Sequence, residues 1–211
     1  MVIKVIKRLI FDLDNTLIMW KPEYINALAR ALKENKNNND PIVVNALFQS
    51  YENNYHCYDK ALFLSYMNSK LTEPVNEKTF DDFLNYIGFM SEPNEEVIDT
   101  LEYLKDKYEM VVLSRWFTKP QIERLKNAHI LKYFKAVVGG DEIMKPHPDA
   151  FKLAMGDKKP EECVAIGDTY DIDLIPAQAL GIKPIFANFS GLDNKNNYQM
   201  ITTFSELKDI L

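Results

Sequence analysis

After Pro93, short apolar runs alternate with amphipathic stretches, and that alternation leaves few folds open. Glu95 to Lys107 places Val97, Leu101 and Leu104 on one helical face, and Met110-Val111-Val112-Leu113 follows as a strand. The pattern continues as a helix from Gln121 to Asn127, a short strand at Ala136-Val137-Val138 and a helix from Pro148 to Met155. Val164-Ala165-Ile166 reads as a strand ending in Gly167-Asp168. A helix from Asp173 to Leu180 is expected to close on Gly181, and Lys183 to Asn188 reads as a last core strand. Ser205 is a plausible N-cap for a final helix to Leu211. Near the start of the chain, Leu9-Ile10-Phe11 is one more buried strand. Strands that alternate with helices imply an α/β fold with a parallel sheet covered on both faces.

The texture between Pro22 and Ile87 is different. Glu23 to Glu34 puts Ile25, Leu28, Ala29 and Leu32 on one face, and Pro41 can begin a second helix after the polar tract from Asn35 to Asp40. Further apolar faces run through Val43-Leu47-Tyr51, Leu62-Tyr66 and Phe80-Phe83-Ile87, with no obvious strand. The expected organisation is an α/β core of residues 1–17 and 92–211, with an all-helical insert at 18–91.

The chain has 211 residues, 46% apolar and 27% charged, as in an ordinary globular protein able to bury a sizeable core. The formal net charge of -6 gives no reason to expect nucleic acid or an anionic membrane as a partner. No apolar run approaches the roughly 20 residues of a membrane span. The first eight residues are too interrupted for a signal peptide, and Cys57 and Cys163 form no disulfide framework. These features point to the cytoplasm, and they leave monomer and homodimer equally open.

In open parallel sheets, ligands bind beyond the carboxyl ends of the strands. Asp12 and Asp14 follow the first strand, Ser114 follows Met110-Leu113, Lys145 lies in the loop after Val137-Val138, and Asp168 follows Val164-Ile166. The fold alone would bring them into one crevice, and their types suit phosphoryl transfer. A carboxylate can attack a phosphate ester to give an aspartyl-phosphate, provided that positive charge screens the repulsion. Mg²⁺ does so with oxygen ligands, here Asp12 and Asp168. Lys145 would add a fixed charge, and Ser114 a hydrogen bond to a phosphate oxygen. Asp14, two residues from Asp12 on the same side of an extended chain, can protonate the leaving oxygen and then activate water.

The segment Phe11-Asp12-Leu13-Asp14-Asn15-Thr16-Leu17 resembles the first motif of the haloacid dehalogenase-like hydrolase superfamily. Ser114 resembles the second motif, Lys145 in Met144-Lys145-Pro146-His147-Pro148 the third, and Gly167-Asp168-Thr169-Tyr170-Asp171-Ile172-Asp173 the fourth. The resemblance implies a Rossmann-like core under a mobile C1-type cap, the helical insert between the first two motifs. It implies that Asp12 is nucleophile and metal ligand, that Asp14 is the acid/base and binds Mg²⁺ through its carbonyl, and that Asp168 is a metal ligand. Asp173 would support the metal site or Lys145; the alternative reading is the N-terminal acid of the next helix. A carboxylate at Asp14 is similar to the phosphatases and unlike the dehalogenases. The function implied is a phosphatase of small phosphorylated metabolites. A phosphomutase acting on a sugar phosphate, a phosphonate hydrolase and a non-catalytic binding module are the alternatives.

The pattern departs from the family at Arg115, where Asn is common, and at Ile172. Arg115 could read a second anionic group on the substrate or be a solvated side chain. Trp20 could stack on substrate at the entrance or pack at the hinge. Tyr51, Tyr55 and Tyr58 share a helical face and read as core, and the three histidines show no metal spacing.

Overall fold

A computed structural model describes residues 5–19 and 23–211. Trp20 therefore lies outside the described residues. The core is one six-stranded sheet: β1 (Arg8–Phe11), β2 (Glu109–Leu113), β3 (Ala136–Val138), β4 (Cys163–Gly167), β5 (Lys183–Ala187) and β6 (Gln199–Ile201). Every pairing is parallel and the order is β3-β2-β1-β4-β5-β6. The chain runs outward from β1 through β2 to β3, then returns to β4 on the other side. Phe11 is in register with both Val112 and Ile166, so the residues after β1 emerge between the ends of β2 and β4. That is the switch point where open α/β sheets place their ligands.

Helices α1 (Glu23–Glu34), α2 (Pro41–Asn54), α3 (Lys60–Asn68) and α4 (Glu77–Gly88) form between β1 and β2. Asp40, Asp59 and Asn76 cap the last three by accepting backbone N–H groups, which their side-chain types favour. Then α5 (Glu95–Leu104), α6 (Thr118–Asn127), α7 (Pro148–Met155), α8 (Ile175–Ala179) and α9 (Leu207–Ile210) complete the described helices. None of the described helices is long and apolar enough to cross a membrane.

Several expectations need correction. The helix expected from Asp173 starts later, because Tyr170–Leu174 forms a wide turn and Pro176 stands in the first turn of α8. Gly181 does follow the helix, at φ 84°. The expected last strand is not the last, since β6 pairs with Ile185–Ala187. Ser205 caps nothing: its N–H and hydroxyl both donate to Glu96, and the final helix shortens to α9. Tyr51, Tyr55 and Tyr58 do not share one helix, since α2 ends at Asn54. The rings pack together all the same, with Tyr51 centred 4.5 Å from Tyr55 and 5.5 Å from Tyr58.

Two of the four apolar clusters among the described residues frame the crevice at the sheet edge. Leu9, Phe11, Met110, Val112, Val164 and Ile166 lie at the centre of one, on one sheet face. The helical insert has its own, built on Leu28, Phe48, Tyr51, Phe63, Phe80 and Phe83. That second cluster also takes in Trp116, Phe117 and Met144 from the core's loops. Trp116 sits at its centre, 4.7 Å from Tyr58, 5.6 Å from Phe48 and 5.9 Å from Tyr24 between ring centroids. Backbone bonds join the same parts: Tyr58 N–H donates to Gly140 at 2.6 Å and Met144 N–H to His56 at 2.7 Å. Trp116→Ala should destabilise the protein by about 3–5 kcal/mol. Amide exchange in α1–α4 should rise more than in β1 and β4, and equal protection in both regions would refute the anchoring role.

Arg8 is charged, at the start of the central strand, and yet buried. Its guanidinium donates to the Ala154 and Met155 carbonyls that end α7 and pairs with Glu109 at the start of β2. Gly156 leaves room for it, since a Cβ there would lie 2.6 Å from Arg8 Nη1. Removing one buried donor strands the acceptors that it served. Arg8→Ala should cost about 2–3 kcal/mol in urea unfolding. Hydrogen bonds from Arg8 and Lys135 pull the Glu109 carboxyl down to about 2 from its ordinary 4.5. A depressed carboxyl stabilises the fold fully above its unfolded value and loses that contribution as pH falls. Stability should therefore drop between about pH 4.5 and 2, and less so in Glu109→Gln.

Candidate active site

Strand β1 ends in Asp12, whose N–H donates to Ile166 on β4 at 2.8 Å. The chain then folds into a tight turn, with Leu17 and Ile18 N–H groups donating to Leu13 and Asn15 N–H to Ile18. Asn15 holds φ 59°, a conformation that Asn and Gly adopt more readily than other residues. Asn and Gly thus both fit this position. The turn leaves Asp14 facing the same cavity as Asp12.

That cavity holds about 420 Å³. Asp12, Asp14, Ser114, Arg115, Lys145, Asp168 and Asp173 all border it on the sheet side. Its opposite wall is Tyr24, Asn45, Phe48, Gln49 and Glu52 from α1 and α2. The parallel topology makes this possible, because β1, β2 and β4 end side by side at one edge.

Lys145 organises the floor. Its ammonium is buried and donates to Asp12 Oδ1 at 2.7 Å and Asp173 Oδ1 at 2.6 Å. Burial works against its charge, but Asp12 and Asp173 hold its pKa above the ordinary lysine value. Asp173 is fixed in turn, because its other oxygen accepts Thr169 N–H at 3.1 Å. It reaches this place through the wide turn before α8 and across Gly167, where a Cβ would lie 2.5 Å from Asp173 Cγ. The carboxylate therefore points back to Lys145 and does not cap the following helix.

Asp12, Asp168 and Asp173 bring carboxylate oxygens within 4.8 Å of one another. Burial raises the Asp12 carboxyl above its ordinary value; Lys145 opposes the shift, while Asp173 and Asp168 add to it. Burial raises Asp168 as well, followed by the charge of Asp173. Three carboxylates around one ammonium carry surplus negative charge. An all-oxygen donor set of this kind fits a hard divalent cation.

The remaining residues sit around this floor. Ser114 is buried, and its Oγ accepts from Gln121 Nε2 at 2.7 Å. Asp14 Oδ1 accepts from Arg124 Nη2 at 2.6 Å. Arg115 Nη2 pairs with Glu52 of α2 at 3.0 Å, so the wall opposite balances its charge. Sequence reasoning missed Gln121, Arg124, Trp116 and the α1–α2 wall. Gln121 and Arg124 looked like polar residues on an amphipathic helix, and only their burial sets them apart.

A family model described as haloacid dehalogenase-like hydrolase matches residues 6–181. The chain is 30% identical over 189 residues to phosphoglycolate phosphatase of Photorhabdus laumondii, covering 85% of this chain and 79% of that protein. It is 28% identical over 188 residues to phosphoglycolate phosphatase of Aquifex aeolicus, covering 85% of this chain and 83% of that protein. The crystal structure of the hydrolase YfnB from Bacillus subtilis, bound to magnesium, shares the fold at a TM-score of 0.71 with 16% identity, covering 98% of this chain and 99% of that one. A parallel sheet with this strand order, the carboxylates at its central edge and the matching span together show that the chain belongs to the haloacid dehalogenase-like hydrolases.

Proposed function

We propose that this hydrolase is a Mg²⁺-dependent phosphatase of small phosphorylated metabolites that works through an aspartyl-phosphate on Asp12. The observation that carries the reading is the Lys145 ammonium, 2.7 Å from Asp12 and 2.6 Å from Asp173 at the floor of a cavity. Such a contact keeps the Asp12 carboxylate oriented and lowers the cost of bringing an anionic phosphate against it. The Asp12 and Asp168 carboxylates and the Asp14 carbonyl would hold Mg²⁺, with Asp173 in support. The ion would supply the positive charge that screens carboxylate from phosphate.

Asp12 then attacks phosphorus while Ser114 and Lys145 bind the phosphoryl oxygens. Asp14 gives its proton to the departing oxygen. A water enters, loses its proton to Asp14 and cleaves the aspartyl-phosphate, which restores Asp12. Residues 18–91 serve as a cap over a core of 1–17 and 92–211, excluding bulk water during turnover. Asn45, Gln49 and Glu52 on the cap side would hydrogen-bond the leaving group, with Arg115 as a further contact. Two relatives are phosphoglycolate phosphatases, which supports a small substrate.

Release of phosphate across a panel of phosphorylated metabolites tests the reading. Wild type should turn over at least one ester only with Mg²⁺, and Asp12→Asn should lose at least about 10³-fold in kcat. Asp14→Asn should lower kcat/KM by about 10²- to 10⁴-fold for an alkyl phosphate. The loss should be much smaller for p-nitrophenyl phosphate, whose leaving oxygen needs no proton. Turnover that survives Asp12→Asn, or a complete lack of turnover, would refute the assignment.

A further inference from the structure

Beneath the cavity, two side chains of α6 are buried, polar and unused by the mechanism above. Gln121 is 0% exposed and Arg124 is 3% exposed. Together they form an unbroken line from one edge of the site to the other. Arg124 Nη2 donates to Asp14 Oδ1 at 2.6 Å, and Nη1 donates to Gln121 Oε1 at 3.0 Å. Gln121 Nε2 donates to Ser114 Oγ at 2.7 Å. Arg124 Nε reaches Ser91 Oγ at 3.3 Å, in the segment that returns from α4 to the core.

The chemistry of these groups fixes a direction along the line. A guanidinium only donates, so the atom of Gln121 that faces it must be the amide oxygen. The amide nitrogen is then forced onto Ser114, which has to accept. A serine hydroxyl that accepts from below keeps its own proton for a partner elsewhere. Among the described residues nothing accepts that proton, and Ser114 borders the cavity. The hydroxyl is thus set as a donor to whatever anion enters. The other arm of the same guanidinium keeps the Asp14 carboxylate turned to its place on the cavity wall.

We propose that Gln121 and Arg124 are positioning residues, which commit the Ser114 hydroxyl to donate to the bound phosphoryl group and hold Asp14 beside the departing oxygen. The inference rests on the phosphatase reading for the identity of the anion. The hydrogen-bond direction itself can be tested without turnover.

Gln121→Glu reverses the direction with almost no change in shape. A carboxylate satisfies Arg124, but it accepts the Ser114 proton and withdraws it from the cavity. A double-mutant cycle with Ser114→Ala separates this from the added charge, which acts in both backgrounds. Two quantities would be measured with Mg²⁺ present: binding of inorganic phosphate by calorimetry, and kcat/KM for p-nitrophenyl phosphate. Gln121→Glu should weaken both by about 10- to 100-fold when Ser114 is present, and by no more than about threefold on Ser114→Ala. Equal losses in the two backgrounds, or no loss at all, would overturn the role of Gln121. If Gln121→Glu does not fold, uncharged Gln121→Met enters the same cycle. Its loss should be about 3- to 10-fold and should vanish on Ser114→Ala.

Arg124→Met should cost more kcat/KM on an alkyl phosphate than on p-nitrophenyl phosphate, and Arg124→Lys should recover part of the difference. A loss equal on both substrates would overturn the Asp14 half of the proposal. Wild type without Asp12-dependent turnover would refute the phosphatase reading alone, since the phosphate-binding cycle still reports on Gln121.

Discussion

A single buried ammonium holds the site together. Lys145 has almost no contact with water, and a charge in that position is costly unless it is paired. Asp12 and Asp173 supply the pairing, from the segments that follow β1 and β4. Each partner has further constraints. The Asp12 backbone is tied to β4, and Asp173 is tied to Thr169 by a second hydrogen bond. Gly167 must lack a side chain for Asp173 to lie where it does. The wide turn before α8 carries Asp173 to this place, where its carboxylate meets both Lys145 and the Thr169 N–H. Wide turns of this kind inside or beside helices are often found at functional positions.

A second constraint joins the helical insert to the sheet. Four helices with one shared apolar cluster could close on themselves, but the cluster takes Trp116 into its centre. This tryptophan leaves β2 two residues after Ser114. The insert's position is therefore coupled to the loop that presents the Ser114 hydroxyl, and it sets the distance from Glu52 to Arg115. A wall that carries Asn45, Gln49 and Glu52 follows from that placement. Closing such a wall over a charged floor removes water and strengthens every interaction inside.

Much of this was legible in the chain itself. The alternation of apolar runs and helical faces marked β1 to β5, because buried parallel strands leave a continuous hydrophobic signature. Asp12, Asp14, Ser114, Lys145 and Asp168 stood out because each follows such a run or lies in the loop after one. β6 was illegible, since Gln199-Met200-Ile201 is short and half exposed and gains its identity from pairing with β5. Ser205 looked like a cap because its type suits one, but Glu96 from a distant helix captures it.

The order of residue types along the sequence determined the parallel sheet and, through it, the meeting of Asp12, Ser114, Lys145 and Asp168 at one edge. Connectivity suffices for that result, because each residue sits at a fixed place relative to its own strand. Only the tertiary structure decided which polar residues on amphipathic helices are buried and whom they touch. Gln121 and Arg124 have the composition of an exposed helix face, and their burial depends on how α6 packs beneath Asp14 and against α4. Hydrogen-bond direction is decided there too, because it depends on which donor faces which acceptor across three segments of the chain. The sequence fixes how each segment is made; contacts between segments are a property of the packed whole.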